Sequence, residues 1–396
     1  MDRSDIFGEV DSIFSNKDLL EIGHLPESDR IVGREDEIMA LGSVLKPALV
    51  GQSPTNALLY GKTGTGKSLT AEHVTRELVA GAAENDVDVA VAYVDCGEST
   101  TQTQAIKTIA RELKPDDLDI SVPLSGLSTA DYYHRMWQVI EAVGDVAIVI
   151  LDEVDRLPDD NVLLQLSRAT EAGKVETTKV GVVGISNKIR FKDQIGERVK
   201  SSLCEREFIF DPYDANQLRA IMEARKDAFQ DGVLDDDTIP LAAAYAAKEH
   251  GDARKAIDIL RYAGEIADAE GSDVVGRDHV DEAREMAERN RFRDLIRGVT
   301  PHSKYILLAL AHLTINEPES AFRTTRIYDV YEGICKDESS DPVGSRRVHD
   351  LLNELAFLDV IEQRRVTGGR EVGTYTQHEL LEDAKIVRDV LTESVA

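Results

Sequence analysis

A chain of 396 residues has room for two or three domains and is too long for a single hydrophobic core. Charged residues make up 30% and hydrophobic ones 42%, which excludes a disordered polymer. The net charge of −28, from 46 Lys/Arg and 74 Asp/Glu, argues on its face against a nucleic-acid partner.

The acid is spread along the chain, and Arg outnumbers Lys by 29 to 17, a balance that suits a cytoplasm of high salt. The start, Met1-Asp2-Arg3-Ser4-Asp5, lacks the apolar core of a signal peptide. The longest aliphatic run, Val146 to Leu151, falls far short of the roughly 20 residues a bilayer helix needs. Cys96, Cys204 and Cys335 are far apart, with neither disulfide nor zinc spacing. A soluble cytoplasmic protein with no membrane partner is expected.

In chain order, residues 1–25 predict an N-terminal extension or arm. From Arg34 onward Ile38, Leu41, Leu45 and Leu49 step at helical spacing. Short apolar runs then alternate with helical stretches: Ala57 to Tyr60, Val89 to Val94, Val146 to Leu151, Val180 to Ile185 and Phe208 to Phe210. That rhythm predicts a parallel α/β sheet covered on both faces. After Pro212 the strand signal stops, and residues 213–297 predict helices broken at Gly232, Gly251, Gly271 and Gly276. Helices are predicted at Tyr305 to Leu313, Thr325 to Ile334 and Val343 to Leu358. A hairpin follows, Val360 to Val366 and Val372 to Thr376 around Gly368-Gly369. Three helices and a hairpin is the winged-helix order.

Gly61-Lys62-Thr63-Gly64-Thr65-Gly66-Lys67-Ser68 is a complete phosphate-loop motif between a strand and a helix. Its glycines let backbone N–H groups curl around phosphates. Lys67 is expected on the β/γ-phosphates, the Ser68 hydroxyl on Mg²⁺, and Gly61, Thr63, Gly64, Thr65, Gly66 and Leu69 around the nucleotide. About 85 residues on, a buried strand ends in Asp152-Glu153. Asp152 would hold Mg²⁺ through water, and Glu153 would polarise the attacking water. An acidic pair alone could equally be a solvated strand end; the phosphate loop tips the balance.

From these residues the sequence resembles the AAA+ ATPases. Val180 to Asn187 looks like their sensor-1 strand, with Asn187 orienting the lytic water. Glu197-Arg198-Val199 resembles the segment carrying an arginine finger, which implies that Arg198 acts on a neighbouring subunit's nucleotide. Gly251-Asp252-Ala253-Arg254 resembles the sensor-2 helix start, with Arg254 at the γ-phosphate. An exposed arginine on a helix is usually just solvated, so it is their order and spacing that carry the likeness.

More narrowly the chain resembles the archaeal origin-recognition/cell-division-cycle initiators over residues 20–376. Ile31-Val32-Gly33-Arg34-Glu35 looks like the family's adenine-side loop, and Phe210-Asp211-Pro212-Tyr213 with Gln217-Leu218 its sheet-to-lid junction. The resemblance places Ile31, Val32, Tyr213 and Arg225 at the nucleotide. Pro123 to Ser128, before Tyr132, Tyr133 and Trp137, resembles the initiator insertion, which in the family touches DNA; the alternative is a surface loop backed by a core-facing aromatic stripe. The implied architecture is an AAA+ α/β P-loop base with a parallel sheet (26–211), an all-α lid (212–290) and a winged-helix domain (291–396).

In that last domain Val348, Leu351, Leu352 and Leu355 form the buried face of a recognition helix, leaving Arg346, Arg347 and His349 for the major groove. Arg364, Arg365 and Arg370 flank the Gly-Gly tip of the wing. A winged-helix domain serving only protein contacts, its arginines matching acidic neighbours, is the alternative.

Charge by segment answers the opening objection. Residues 291–396 hold 14 Lys/Arg and 18 Asp/Glu, a net of −4, whereas residues 1–290 hold 32 and 56, a net of −24. The arginines sit in the elements expected to meet DNA. The expected function is an ATP/ADP- and Mg²⁺-binding replication initiator. It would be a weak ATPase working mainly as a switch, nucleoid-associated in the cytoplasm. Its implied partners are double-stranded origin DNA, the replicative helicase and paralogous initiator subunits. Alternatives are an ATP-dependent transcription regulator, a clamp-loader-like or branch-migration motor, and a loader acting mainly through protein contacts.

Overall fold

The computed structural model describes residues 12–21, 26–27, 30–188, 191–203, 206–248, 251–358, 360–367 and 374–395. The chain divides into two compact units, Met1–Val280 and Asp281–Ala396.

In the first unit the five apolar runs become strands β1 (Ala57–Gly61), β2 (Val89–Asp95), β3 (Val146–Asp152), β4 (Lys179–Ser186) and β5 (Arg206–Phe210). They form one parallel sheet in the order β2-β3-β4-β1-β5. All seven residues of β3 are buried, because alternate side chains enter two separate cores. Val146, Ile148 and Ile150 meet α1 (Glu35–Leu45) and α2 (Lys67–Ala83) on one face. Ala147, Val149 and Leu151 meet α3 (Gln102–Glu112), α4 (Thr129–Ala142) and α5 (Asn161–Ser167) on the other. Further along lie the short helices α6 (Phe191–Gln194) and α7 (Glu197–Leu203).

Helix starts follow local chemistry. Thr101 with Gln104 and Ser128 with Asp131 form reciprocal capping boxes at α3 and α4. The aromatic stripe of α4 faces inward: Tyr132 and Trp137 are buried, and the Tyr132 hydroxyl donates to the Pro123 carbonyl at 2.9 Å. The loop it braces stays exposed, with Leu124 at 68% exposure. The stripe therefore anchors the loop and takes no part in its outer surface.

After β5 the chain turns helical, as predicted: α8 (Ala215–Glu223), α9 (Thr238–Lys248), α10 (Ala253–Glu270) and α11 (Arg277–Leu295), within which the division between the two units falls. The described part of the expected N-terminal arm is a strap fastened to these helices. Phe14 bridges to Phe229, their ring centroids 4.9 Å apart. The N–H groups of Ser15 and Asn16 both donate to the Ala228 carbonyl, at 2.8 and 3.0 Å, and Gln230 N–H donates to the Ile13 carbonyl at 2.9 Å. Lys17 pairs with Glu265, and Leu20 is fully buried. An acidic average over residues 1–25 concealed these few apolar anchors.

The second unit packs α12 (Pro301–Asn316), α13 (Thr324–Asp337) and α14 (Ser345–Phe357) against a small antiparallel sheet. Its strands are β6 (Ala321–Arg323), β7 (Ile361–Thr367) and β8 (Thr374–Leu380), in the order β6-β8-β7. Two elements were not foreseen. β6 is only three residues, too short for a period to register. A final helix, α15 (Ala384–Val395), buries Val387, Val390 and Leu391 in the domain core. Among the described residues no helix is long and apolar enough to cross a membrane.

Replacing Phe14 by Ala removes the ring that clamps the strap to Phe229. We expect a loss of about 2 kcal/mol of stability in the first unit, read as a lower urea midpoint at molar salt. An unchanged midpoint would show that the strap contributes no packing.

Candidate nucleotide site and nucleic-acid interface

In a parallel sheet the carboxyl ends of the strands share one edge, where ligand sites form. Here that edge brings together the loop after β1, the acidic end of β3 and the residue after β4, since β4 pairs with both β1 and β3. A cavity of about 430 Å³ opens there. Its wall holds Ile31, Val32, Thr63, Gly64, Thr65, Gly66, Lys67, Ser68, Leu69, Asp152, Glu153, Asn187, Tyr213, Arg225 and Arg254. Two first-unit candidates lie outside it. Gly61 stands behind the loop, its carbonyl accepting from Lys67 at 3.0 Å. Arg198 lies exposed on α7.

The loop needs its glycines for two separate reasons. Gly64 and Gly66 hold φ of 72° and 84°, the left-handed region that side chains disfavour. A Cβ on Gly64 would also collide with the Asp252 carboxylate, and one on Gly66 with the Tyr213 hydroxyl. The loop is thus bare on the side where the lid lies. Asp252 caps α10 by accepting from Arg254 N–H at 2.8 Å, and Ala253 N–H donates to the Gly64 carbonyl at 3.0 Å. The helix carrying Arg254 is hydrogen-bonded to the phosphate loop itself.

Lys67 is buried, and its ammonium donates to the carbonyls of Gly61 and, at 2.7 Å, Lys62. Burial lowers its pKa from the ordinary 10.5 to about 8, against the opposing pull of Asp152. Ser68 donates to Asp152 Oδ2 at 2.5 Å, and the Tyr93 hydroxyl donates to the same oxygen. A serine hydroxyl beside a carboxylate is a hard-oxygen pair that fits Mg²⁺, whose other ligands would be phosphate and water.

Glu153 has φ of 50°, a left-handed backbone that is costly for a residue with a Cβ. It is held there by its N–H on Asp152 Oδ1 at 2.8 Å and by Asn187, whose amide donates to its carboxylate at 3.1 Å. Burial raises its pKa; Arg156, 3.7 Å away, opposes the rise, while Asp95, Asp152 and Asp155 add to it.

Sequence reasoning missed Glu72, Tyr93 and Asp95, all in the cavity wall. Burial, followed by the charge of Asp152, also raises the Glu72 pKa. Strand register was the available signal for two of them: β2 pairs with β3, placing Asp95 opposite Asp152 and Tyr93 one side-chain step before it on the same face. Arg34 was read only as part of a loop motif, yet it is 4% exposed and bonded to the phosphate loop.

In the second unit α14 starts at Ser345, two residues later than expected, with Gly344 as its cap. Val348, Leu351, Leu352 and Leu355 are buried, while Arg346, Arg347 and His349 are exposed. Tyr331, fully buried, accepts from Val343 N–H at 2.9 Å and lies 2.8 Å from His302 Nδ1, fixing the approach to α14. Arg347 pairs with Glu354 at 3.2 Å, and Arg364 with Glu362 at 2.6 Å. Arg346 and Arg365 have no ion pair among the described residues. Arg370 and the Gly368-Gly369 tip lie outside the described residues.

Three stretches of the chain match known family models. Residues 51–187 match an AAA domain, residues 219–285 the Cdc6 AAA+ ATPase-type lid domain, and residues 294–390 the CDC6 C-terminal winged helix domain. The ORC1-type DNA replication protein 4 of Halobacterium salinarum is 50% identical over 389 residues, covering 98% of this chain and 94% of the relative. The ORC1-type DNA replication protein 9 of Haloarcula marismortui is 47% identical, covering 97% and 94%. A structure of the Aeropyrum pernix ORC1 protein in complex with DNA superposes with a TM-score of 0.80 at 36% identity, covering 96% of this chain and 97% of that one. By these likenesses the chain belongs to the ORC1/Cdc6 family of AAA+ ATPases with a C-terminal winged helix.

Proposed function

We propose that this chain is a DNA replication initiator that binds ATP, recognises origin duplex DNA through its winged helix and promotes loading of the replicative helicase. The supporting observation is the convergence of Lys67, Ser68, Asp152, Glu153 and Asn187 on one cavity to which the lid contributes Arg254.

Lys67 would leave the carbonyls of Gly61 and Lys62 for the β/γ-phosphates, exchanging two neutral acceptors for anionic ones. Ser68 and Asp152 would hold Mg²⁺, which when bound neutralises phosphate charge. Glu153, oriented by Asn187, would accept the proton of the attacking water; its raised pKa is the tuning a general base requires. Arg198 does not reach the cavity of its own chain, so it would be supplied by a neighbouring subunit, and an isolated monomer would hydrolyse ATP slowly. Arg254 and Tyr213 bring the lid side to the nucleotide cavity and would move with it, so ATP and ADP would favour different lid angles. Base, lid and wing would then act as a switch over residues 26–211, 212–290 and 291–396. Arg346, Arg347 and His349 would enter the major groove, and the wing arginines would take the backbone or minor groove. Such a protein works at the nucleoid.

The deciding experiment is chromatin mapping of bound sites: enrichment at replication origins supports this reading, and enrichment confined to promoters would replace it with a transcriptional role. Glu153→Gln should keep ATP binding and lower turnover about a hundredfold; equal rates refute the base assignment. Because Lys67 titrates near 8 and phosphate would restore its proton, ATP affinity should be flat below pH 8. Above that it should fall about tenfold per unit. A flat profile to pH 9.5, on the order of one and a half units past the midpoint, would remove Lys67 from the phosphates. At molar salt the Debye length is about 3 Å, so origin affinity should depend only shallowly on salt. A steep fall from low to molar salt contradicts this.

A further inference from the structure

Arginine is almost never fully buried unless it is paired, and Arg34, just before α1, is 4% exposed. Each of its three guanidinium nitrogens donates a hydrogen bond. Nε donates to the Thr65 carbonyl at 2.8 Å, Nη2 to the Asp211 carbonyl at 2.5 Å, and Nη1 to the Glu37 carboxylate at 2.9 Å. Its plane lies over the Tyr213 ring, 3.9 Å from the centroid, with Phe210 at 5.4 Å.

Apart from Glu37 in the adjoining α1, those partners belong to three different parts of the first unit. Thr65 lies in the phosphate loop, Asp211 follows the edge strand β5, and Tyr213 begins the passage to α8. Arg34 itself does not line the nucleotide cavity, whereas Thr65 and Tyr213 do. The packing leaves no slack: a Cβ on Gly66 would strike the Tyr213 hydroxyl and lie 3.5 Å from Arg34 Cγ. On the other side Gly33, at φ of 79°, brings the chain against Tyr213 and Gln217, so the loop also touches the first lid helix.

We propose that Arg34 is a positioning residue that couples the phosphate loop to the lid. By gripping the Thr65 carbonyl and stacking on Tyr213 it holds the two cavity walls in one register, so that nucleotide seated on the loop determines the lid angle. A planar fork is required for this. Lysine keeps the charge but can neither donate along three fixed directions nor stack. The proposal rests on the ATP-binding reading above.

Hydrogen exchange on the full chain at molar salt, with and without saturating ATP, tests it in Arg34→Lys and Arg34→Gln. In the wild type ATP should slow exchange in α8 to α10. In both variants ATP at saturation should no longer do so, and ATP affinity should fall about tenfold, within the usual range of coupling between sites. Wild-type protection at saturating ATP overturns the proposal. Faster exchange by the same factor with and without ATP also overturns it, since that marks lost packing alone. If the Gln variant does not fold, the Lys variant is decisive; if that too fails to fold, Arg34 is a folding residue and the proposal falls. Lys67→Ala is the separate control: if it binds ATP as tightly as the wild type, the ATP reading itself fails, and the role of Arg34 with it.

Discussion

The nucleotide cavity depends on backbone left uncovered at Gly64 and Gly66. With no Cβ at either position, the capped start of α10 reaches the Gly64 carbonyl through Ala253, and Tyr213 lies across Gly66. Any side chain at Gly64 would push Asp252 away and with it the cap of the helix that carries Arg254. The usual account of glycines in a phosphate loop is that they admit the phosphate closely. In this chain they also admit the lid, so the loop contacts ligand and lid through one stretch of backbone.

That close approach concentrates charge, and the hydrogen bonds of Lys67, Asp152 and Glu153 offset part of its cost. Lys67, Asp152, Glu153 and Glu72 share a partly buried space in which isolated ions would be costly. Two hydroxyls, from Ser68 and Tyr93, meet one oxygen of Asp152, while its other oxygen holds the backbone of Glu153. The left-handed turn at Glu153 is the visible cost of aiming that carboxylate at Asn187. Strain placed there is carried by a hydrogen-bonded frame, as the proposed water-orienting role of the pair would require.

Apolar periodicity and glycine breaks made most of the fold legible in the sequence. The five strands were visible because buried parallel strands are continuous apolar runs, and β3 is buried along its whole length. Glycine and carboxylate spacing made the phosphate loop and Asp152-Glu153 equally plain. What stayed hidden depended on register and on contacts distant in sequence. Tyr93 reaches Asp152 only because β2 pairs with β3 in one register. The strap at Phe14 meets a partner more than two hundred residues away. Arg34 belonged to a recognised motif, yet a motif does not say that its side chain turns inward to Thr65 and Tyr213. β6 is shorter than one side-chain repeat can reveal, and α15 follows a wing that already seemed to complete its domain.

The charge of −28 raises one further physical question for the proposed DNA-binding role, how an acidic protein would keep arginines available. The second unit uses two arrangements. Arg347 and Arg364 are paired with Glu354 and Glu362, both partners near in sequence and on the same surface. Arg346 and Arg365, beside them, carry no ion pair among the described residues. Exposed pairs between hydrated side chains contribute little to stability, and less in concentrated salt. Exchanging a glutamate for a phosphate therefore removes little from the folded domain. With long-range attraction screened, discrimination in the proposed role would fall to groups held in place, and the buried Tyr331, fastening Val343 just ahead of α14, would supply that fixity. The acid of the first unit and the arginines of the second are thus compatible, because at high salt charge acts over contact distance and geometry decides the partner.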